Sequence, residues 1–67
     1  MSECPLTRRE TEIVSAFADG LFTKEVADRL RMTDNAVNSA FKIIRAKTGA
    51  RNATGVVAKA IREGWIQ

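Results

Sequence analysis

Histidine and tyrosine are absent from this chain of 67 residues, and cysteine, proline and tryptophan occur once each. Each shortage removes a class of function. One cysteine and no histidine leave too few of the usual donors for a zinc site, so no metal is expected. One cysteine cannot close a disulfide within the chain, and Cys4 reads as a reduced cytosolic thiol in a short leader. No nucleophile is paired with a base, so neither an enzyme nor a cofactor is expected. Apolar runs last only a few residues, too short to span a membrane. Met1-Ser2-Glu3-Cys4-Pro5 has no basic segment followed by an apolar one. No secretory signal is therefore expected, and the cytoplasm is the expected location.

What remains is small. Sixty-seven residues read as one domain, 1–67. A chain of this size buries only about 60% of the surface its unfolded form exposes. Its core supplies roughly 3–5 kcal/mol at most. With disulfides and metals unavailable, oligomerisation is the natural added support.

Charge is modest in total, +3, but uneven. Residues 1–20 hold Arg8 and Arg9 against Glu3, Glu10, Glu12 and Asp19. Residues 35–67 hold Lys42, Arg45, Lys47, Arg51, Lys59 and Arg62 against Glu63 alone. Positive charge gathered on one half points to a polyanion, although a solvated surface can carry the same bias.

The patterning is helical throughout, and no stretch reads as a strand. Thr7-Arg8-Arg9-Glu10 is a capping box that opens a helix over about 7–19. Leu6, Ile13, Val14 and Phe17 form its apolar stripe, and Asp19-Gly20 ends it. Thr23 is placed to cap a second helix, about 23–30, with Val26, Ala27 and Leu30 inward. The small Ala27 allows a close helix crossing. Arg31-Met32 makes a short turn, with Met32 beneath it. A third helix, about 34–48, starts at Thr33 or Asp34. It puts Val37, Phe41, Ile44 and Thr48 on one face, and Gly49 ends it. Asn52 caps a fourth, about 52–63, that ends at Gly64. Val57, Ala60 and Ile61 are its expected inward residues, with Ala53, Val56, Lys59 and Glu63 less easily buried. Trp65 and Ile66 form an apolar lid.

Residues 23–48 thus read as a helix-turn-helix. Taken with Leu6-Thr7-Arg8-Arg9-Glu10, the run from Gly20 to Leu30, Thr33, Val37, Ile44, Gly49-Ala50-Arg51-Asn52 and Gly64-Trp65-Ile66, the chain resembles the LuxR-type (GerE-type) DNA-binding domain. The resemblance covers roughly residues 5–66 and matches the small stand-alone members. It implies an all-α, four-helix fold whose third helix enters the major groove. The positions that read bases in the family correspond to Asn38, Ser39 and Lys42. Backbone contacts correspond to Thr23, Lys24, Lys47, Arg51 and Asn52. The fourth helix is the family's two-fold interface. Ala53, Val56, Lys59, Ala60 and Glu63 are the expected interface residues here. Gly55 and its small neighbours would let two such helices approach closely.

The third helix has suitable chemistry without the family. Asn38 can bond bidentately to adenine, and Ser39 to most bases. Lys42, one turn on, reaches a guanine or a phosphate, while Asn35 and Arg45 lie toward the flanking backbone. The expected function is a dimeric bacterial transcription regulator bound to double-stranded DNA at the nucleoid. The alternative is a protein-binding adapter that docks on a related regulator or on RNA polymerase. Ala36 and Ala40, where relatives carry longer side chains, motivate that alternative.

Overall fold

A computed structural model describes residues 4–67; Glu3 and the rest of the first three residues, on which part of the leader reading rests, lie outside them. Among the described residues the secondary structure is four helices and no strand: α1 Arg8–Ala18, α2 Thr23–Leu30, α3 Asp34–Thr48 and α4 Ala53–Arg62. None is long and apolar enough to cross a membrane.

α1 packs on all three other helices, and its closest neighbour is α4. α2 lies chiefly against α3, while α2 and α4 share no contact. The core therefore sits between α1 and α3, closed on one side by α2 and on the other by α4. Leu6, Ile13, Val14, Val26, Val37, Ile44, Val56 and Ile66 fill it. Phe17 and Phe41 meet at its edge with ring centroids 5.2 Å apart, a tilted packing worth about 0.5–1.5 kcal/mol beyond burial. Ala27 is fully buried where α2 passes its neighbours, so a larger side chain there would overpack the crossing.

Each helix start has a local cause. Thr7 Oγ1 accepts from the Glu10 amide at 3.1 Å, and Glu10 Oε1 accepts from the Thr7 amide at 2.8 Å, the expected reciprocal box. Thr33 Oγ1 accepts from the Ala36 amide at 3.0 Å to open α3. Asn52 Oδ1 does the same for the Gly55 amide at 2.9 Å to open α4. α2 departs from expectation. Thr23 is already its first helical residue, and the cap position belongs to Phe22, which offers no side-chain acceptor. The chain turns helical one residue early because Phe22 is extended (φ −80°, ψ 164°) while its carbonyl already accepts from Val26. Glu25 Oε1 accepts from the Phe22 amide at 2.9 Å, which supplies one half of a box.

The helix ends are equally specific. Arg31 closes α2 in the left-handed region at φ 57°, and the Met32 amide reaches back to the Ala27 carbonyl at 2.8 Å. This closing turn usually favours glycine. Thr48, on the inward face of α3, also fixes the end of the helix. Its buried hydroxyl donates to the Ile44 carbonyl at 3.0 Å and accepts from the Ala50 amide at 3.3 Å, which ties down the exit from the helix.

α4 is rotated from its expected register. Val56 and Ala60 are completely buried, whereas Ile61 is 53% exposed and Val57 only partly covered. Two adjacent valines allow two apolar faces of nearly equal merit. The start of α4 lies close against the preceding turn: a Cβ on Gly55 would stand 3.3 Å from Ala50 Cβ. The glycine therefore serves contact within the chain. Ala60 is buried as its inward reading expects, and Val56, expected to be less easily buried, joins it; both were also expected at the subunit interface, but at 0% exposure they offer no side-chain surface to a second copy.

Phe22 combines 78% exposure with an empty cap. Phe22→Ser is expected to raise the unfolding free energy by about 0.5–1 kcal/mol, read as a higher urea midpoint at unchanged slope. A lower midpoint would mean that the ring's place beside Leu21 and Val57 outweighs the missing cap.

Candidate nucleic-acid interface

α3 is half core and half surface. Val37, Ile44 and Thr48 are buried, and Ala40 and Phe41 are partly so. On the solvent side Asn35, Asn38, Ser39, Lys42 and Arg45 are exposed, and so are Ala36, Ile43, Ala46 and Lys47. The first five line one shallow depression along the helix, bordered by the edge of Phe41. Their spacing of three and four residues stacks them on neighbouring turns. The three expected base readers, Asn38, Ser39 and Lys42, thus stand together, with Asn35 and Arg45 beside them. Amide, hydroxyl, ammonium and guanidinium supply donors and acceptors with no carboxylate in the lining. Asp34 is exposed at the first position of α3, where its charge suits the helix dipole.

The expected backbone contacts do not form one group. Thr23 and Lys24 stand at the start of α2, apart from the α3 depression. Arg51 and Asn52 lie in the turn before α4 and border a different depression, together with Lys59 and Arg62. The Asn52 carboxamide oxygen is occupied by the α4 cap. Of the expected interface residues other than Val56 and Ala60, Ala53 and Lys59 are half-buried and Glu63 is exposed.

Lys47 behaves differently from the other cations of α3. Its Nζ lies 2.7 Å from Glu10 Oε1, and Glu10 is buried. The ammonium therefore ties the end of α3 to the start of α1, although the residue remains exposed. Sequence reasoning found Glu10 only as a capping residue. A partner 37 positions away carries no local signal, since neither residue belongs to the other's helix. Burial pushes the Glu10 carboxyl pKa up, but the hydrogen bonds from Lys47 and from the Thr7 amide outweigh it, so the group ends below its ordinary value. The charged carboxylate therefore contributes its full stabilisation above the ordinary glutamate pKa. That contribution is lost as pH falls through the lower folded value. By contrast, the Arg29–Asp19 pair at 2.8 Å has both side chains more than half exposed and adds little.

This arrangement finds a match among known proteins. The model for the bacterial regulatory proteins of the luxR family, also called GerE, matches residues 4–60. The chain belongs to the luxR family. The match begins just ahead of α1 and ends within α4, so it takes in all of α3. Among curated relatives, the transcriptional regulatory protein DesR of Bacillus subtilis (strain 168) is 32% identical over 63 residues, 94% of this chain and 32% of that protein. The uncharacterized transcriptional regulatory protein YxjL of the same organism is 33% identical over 63 residues, 94% of this chain and 29% of its own length. The transcriptional regulatory protein DegU of Brevibacillus brevis is 27% identical over 62 residues, 92% of this chain and 26% of its length. The luxR-family chain described here thus spans about a third or less of the curated relatives it matches.

The ion pair carries its own prediction. Glu10→Gln is expected to lower stability near neutral pH by about 1–3 kcal/mol and to flatten the acid limb of a stability-versus-pH curve measured by urea denaturation. Lys47→Gln should reproduce part of that loss, while Lys42→Gln stays within about 0.5 kcal/mol of the parent. Equal effects at the two lysines would return Lys47 to the solvated surface.

Proposed function

We propose that this chain is the sequence-reading unit of a bacterial transcription regulator, and that it binds double-stranded DNA as a homodimer in the cytoplasm. α3 enters the major groove. The observation that carries the reading is the five-residue polar and basic arc of α3, solvent-facing on a helix whose opposite face is locked into the core. Anchoring of that kind holds the side chains in place before they meet a base edge. In this reading Asn38 engages an adenine, Ser39 a base of either kind, and Lys42 a guanine or phosphate. Asn35 and Arg45 set the position along the backbone, with Thr23, Lys24 and Arg51 as further phosphate contacts.

Dimerisation is proposed through the uncharged face of α4. The half-buried Ala53 and Val57 and the exposed Ile61 follow one another on that face, and Ala53 and Val57 share a depression with Phe22. A two-fold contact brings like patches together, and an uncharged patch meets its copy without like-charge repulsion. Half-sites then fall about one helical turn apart on an imperfect palindrome. The same apolar depression is the feature that favours the adapter reading, in which a related regulator or RNA polymerase takes the place of the second copy.

Selection from fragmented bacterial DNA at low and near-physiological salt, followed by sequencing, tests the reading. A two-fold motif retained at the higher salt is expected. Lys42→Ala should weaken binding, and Asn38→Ala should relax preference at one position by about 1–3 kcal/mol. Retention only at low salt, without a motif, would favour the adapter. So would wild-type affinity in both variants.

Sedimentation velocity at micromolar concentration tests assembly separately. A dimer is expected, and Ile61→Lys should shift it toward monomer by placing like charges across the axis. A monomer at every concentration, alone and on DNA, would exclude the two-fold arrangement.

A further inference from the structure

The cations of the carboxyl-terminal half are not scattered. Lys42 and Arg45 border the α3 depression and also a second one that continues past Ala46 to Gly49 and Ala50. Gly49 and Ala50 border a third, walled by Arg51, Lys59 and Arg62. The three depressions adjoin, so one track runs from the middle of α3, around its glycine end, onto α4. No carboxylate lines any part of it. Among the described residues, the ion pairs involve only Arg29 and Lys47 on the basic side, and none of the five cations on the track takes part in one.

Lys59 was expected at the subunit interface. On a helix of 3.6 residues per turn, however, it lies roughly opposite Val57 and Ile61. It stands instead with Arg51 and Arg62 around one hollow. Like charges gathered around a shared hollow repel one another and attract a polyanion. The track continues the face that carries the proposed base readers, and a backbone leaving the read stretch would pass over it.

We propose that Arg51, Lys59 and Arg62 form a phosphate clamp that holds the DNA backbone flanking the bases read by α3. The inference rests on the DNA-binding reading and deepens it. α4 then has two working faces: an uncharged one toward the second copy and a basic one toward phosphates. Such contacts fix register and orientation without reading sequence. Because both faces belong to one short helix, the spacing between half-sites and the grip on the flanks are set together.

The test is the salt dependence of binding to a random-sequence duplex and to the selected duplex, measured for the parent and for the double variant Lys59→Gln with Arg62→Gln. Each lost phosphate contact reduces the magnitude of the log–log slope by about 0.9 per protomer, so a fall of about 1.8 is expected. Base preference should not change, and hydroxyl-radical protection should disappear only from the flanking backbone. An unchanged slope and footprint would overturn the clamp, as would a shift from dimer to monomer with the slope per protomer intact. If the double variant fails to fold, Arg62→Gln alone decides, since that side chain is exposed and a slope change of about 0.9 is expected. A parent that binds neither duplex removes the DNA reading itself. A parent whose binding responds to Lys42→Ala but not to the double variant removes only the clamp.

Discussion

The carboxylate of Glu10 joins the two ends of the fold that matter most. One oxygen accepts from the Thr7 amide at the start of α1 and from the Lys47 ammonium at the end of α3. The first bond begins the helix that touches every other helix. The second anchors the last turn of the helix that exposes the polar arc. A core of a few aliphatic side chains resists sliding weakly, because apolar contacts have little direction. A short, part-buried ionic hydrogen bond has direction. It therefore defines where along α1 the end of α3 must sit, and thus which residues face water.

Several small features serve the same end. Thr33 opens α3 with its hydroxyl, and Thr48 closes it. In between, Val37 and Ile44 are wholly buried, and Phe41 leans on Phe17. The helix is thus held at its start, along its inner face and at its end. The outer face is left for binding; it carries the polar and basic groups of the arc, with Ile43 standing exposed on the same helix. Pairing of Lys47 with Glu10 also clarifies the electrostatics of the carboxyl-terminal half, where the cations outside ion pairs are those of the track from Lys42 to Arg62.

α4 shows how a short helix can be read in two ways. Val56 and Val57 are adjacent, Ala60 and Ile61 are adjacent, and either pairing forms a stripe at helical spacing. The buried stripe is the one with the smaller residues, Val56 and Ala60. Gly55 lets the start of the helix approach Ala50 closely. The larger pair, Val57 and Ile61, is left toward solvent, where it can meet another surface. The exposed Phe22 adds to that uncharged area at the cost of a helix cap. Both departures fall in the part of the molecule assigned here to association, as expected where local preference yields to binding.

The sequence by itself determined the class of the fold, the order of its helices, and their limits to within a residue or so. Those properties are local: capping side chains, glycine at helix ends and apolar residues every third or fourth position act between neighbours in the chain. It also placed Asn38, Ser39 and Lys42 on one face, because a face follows from spacing alone. Only the tertiary structure decided the rotation of α4, the diversion of Lys47 to Glu10 and the gathering of Lys59 and Arg62 with Arg51. Each of these depends on which element packs beside which. A contact between residues 37 positions apart, or a choice between two equal stripes, is resolved by close packing and charge pairing between helices, and no single helix carries that information.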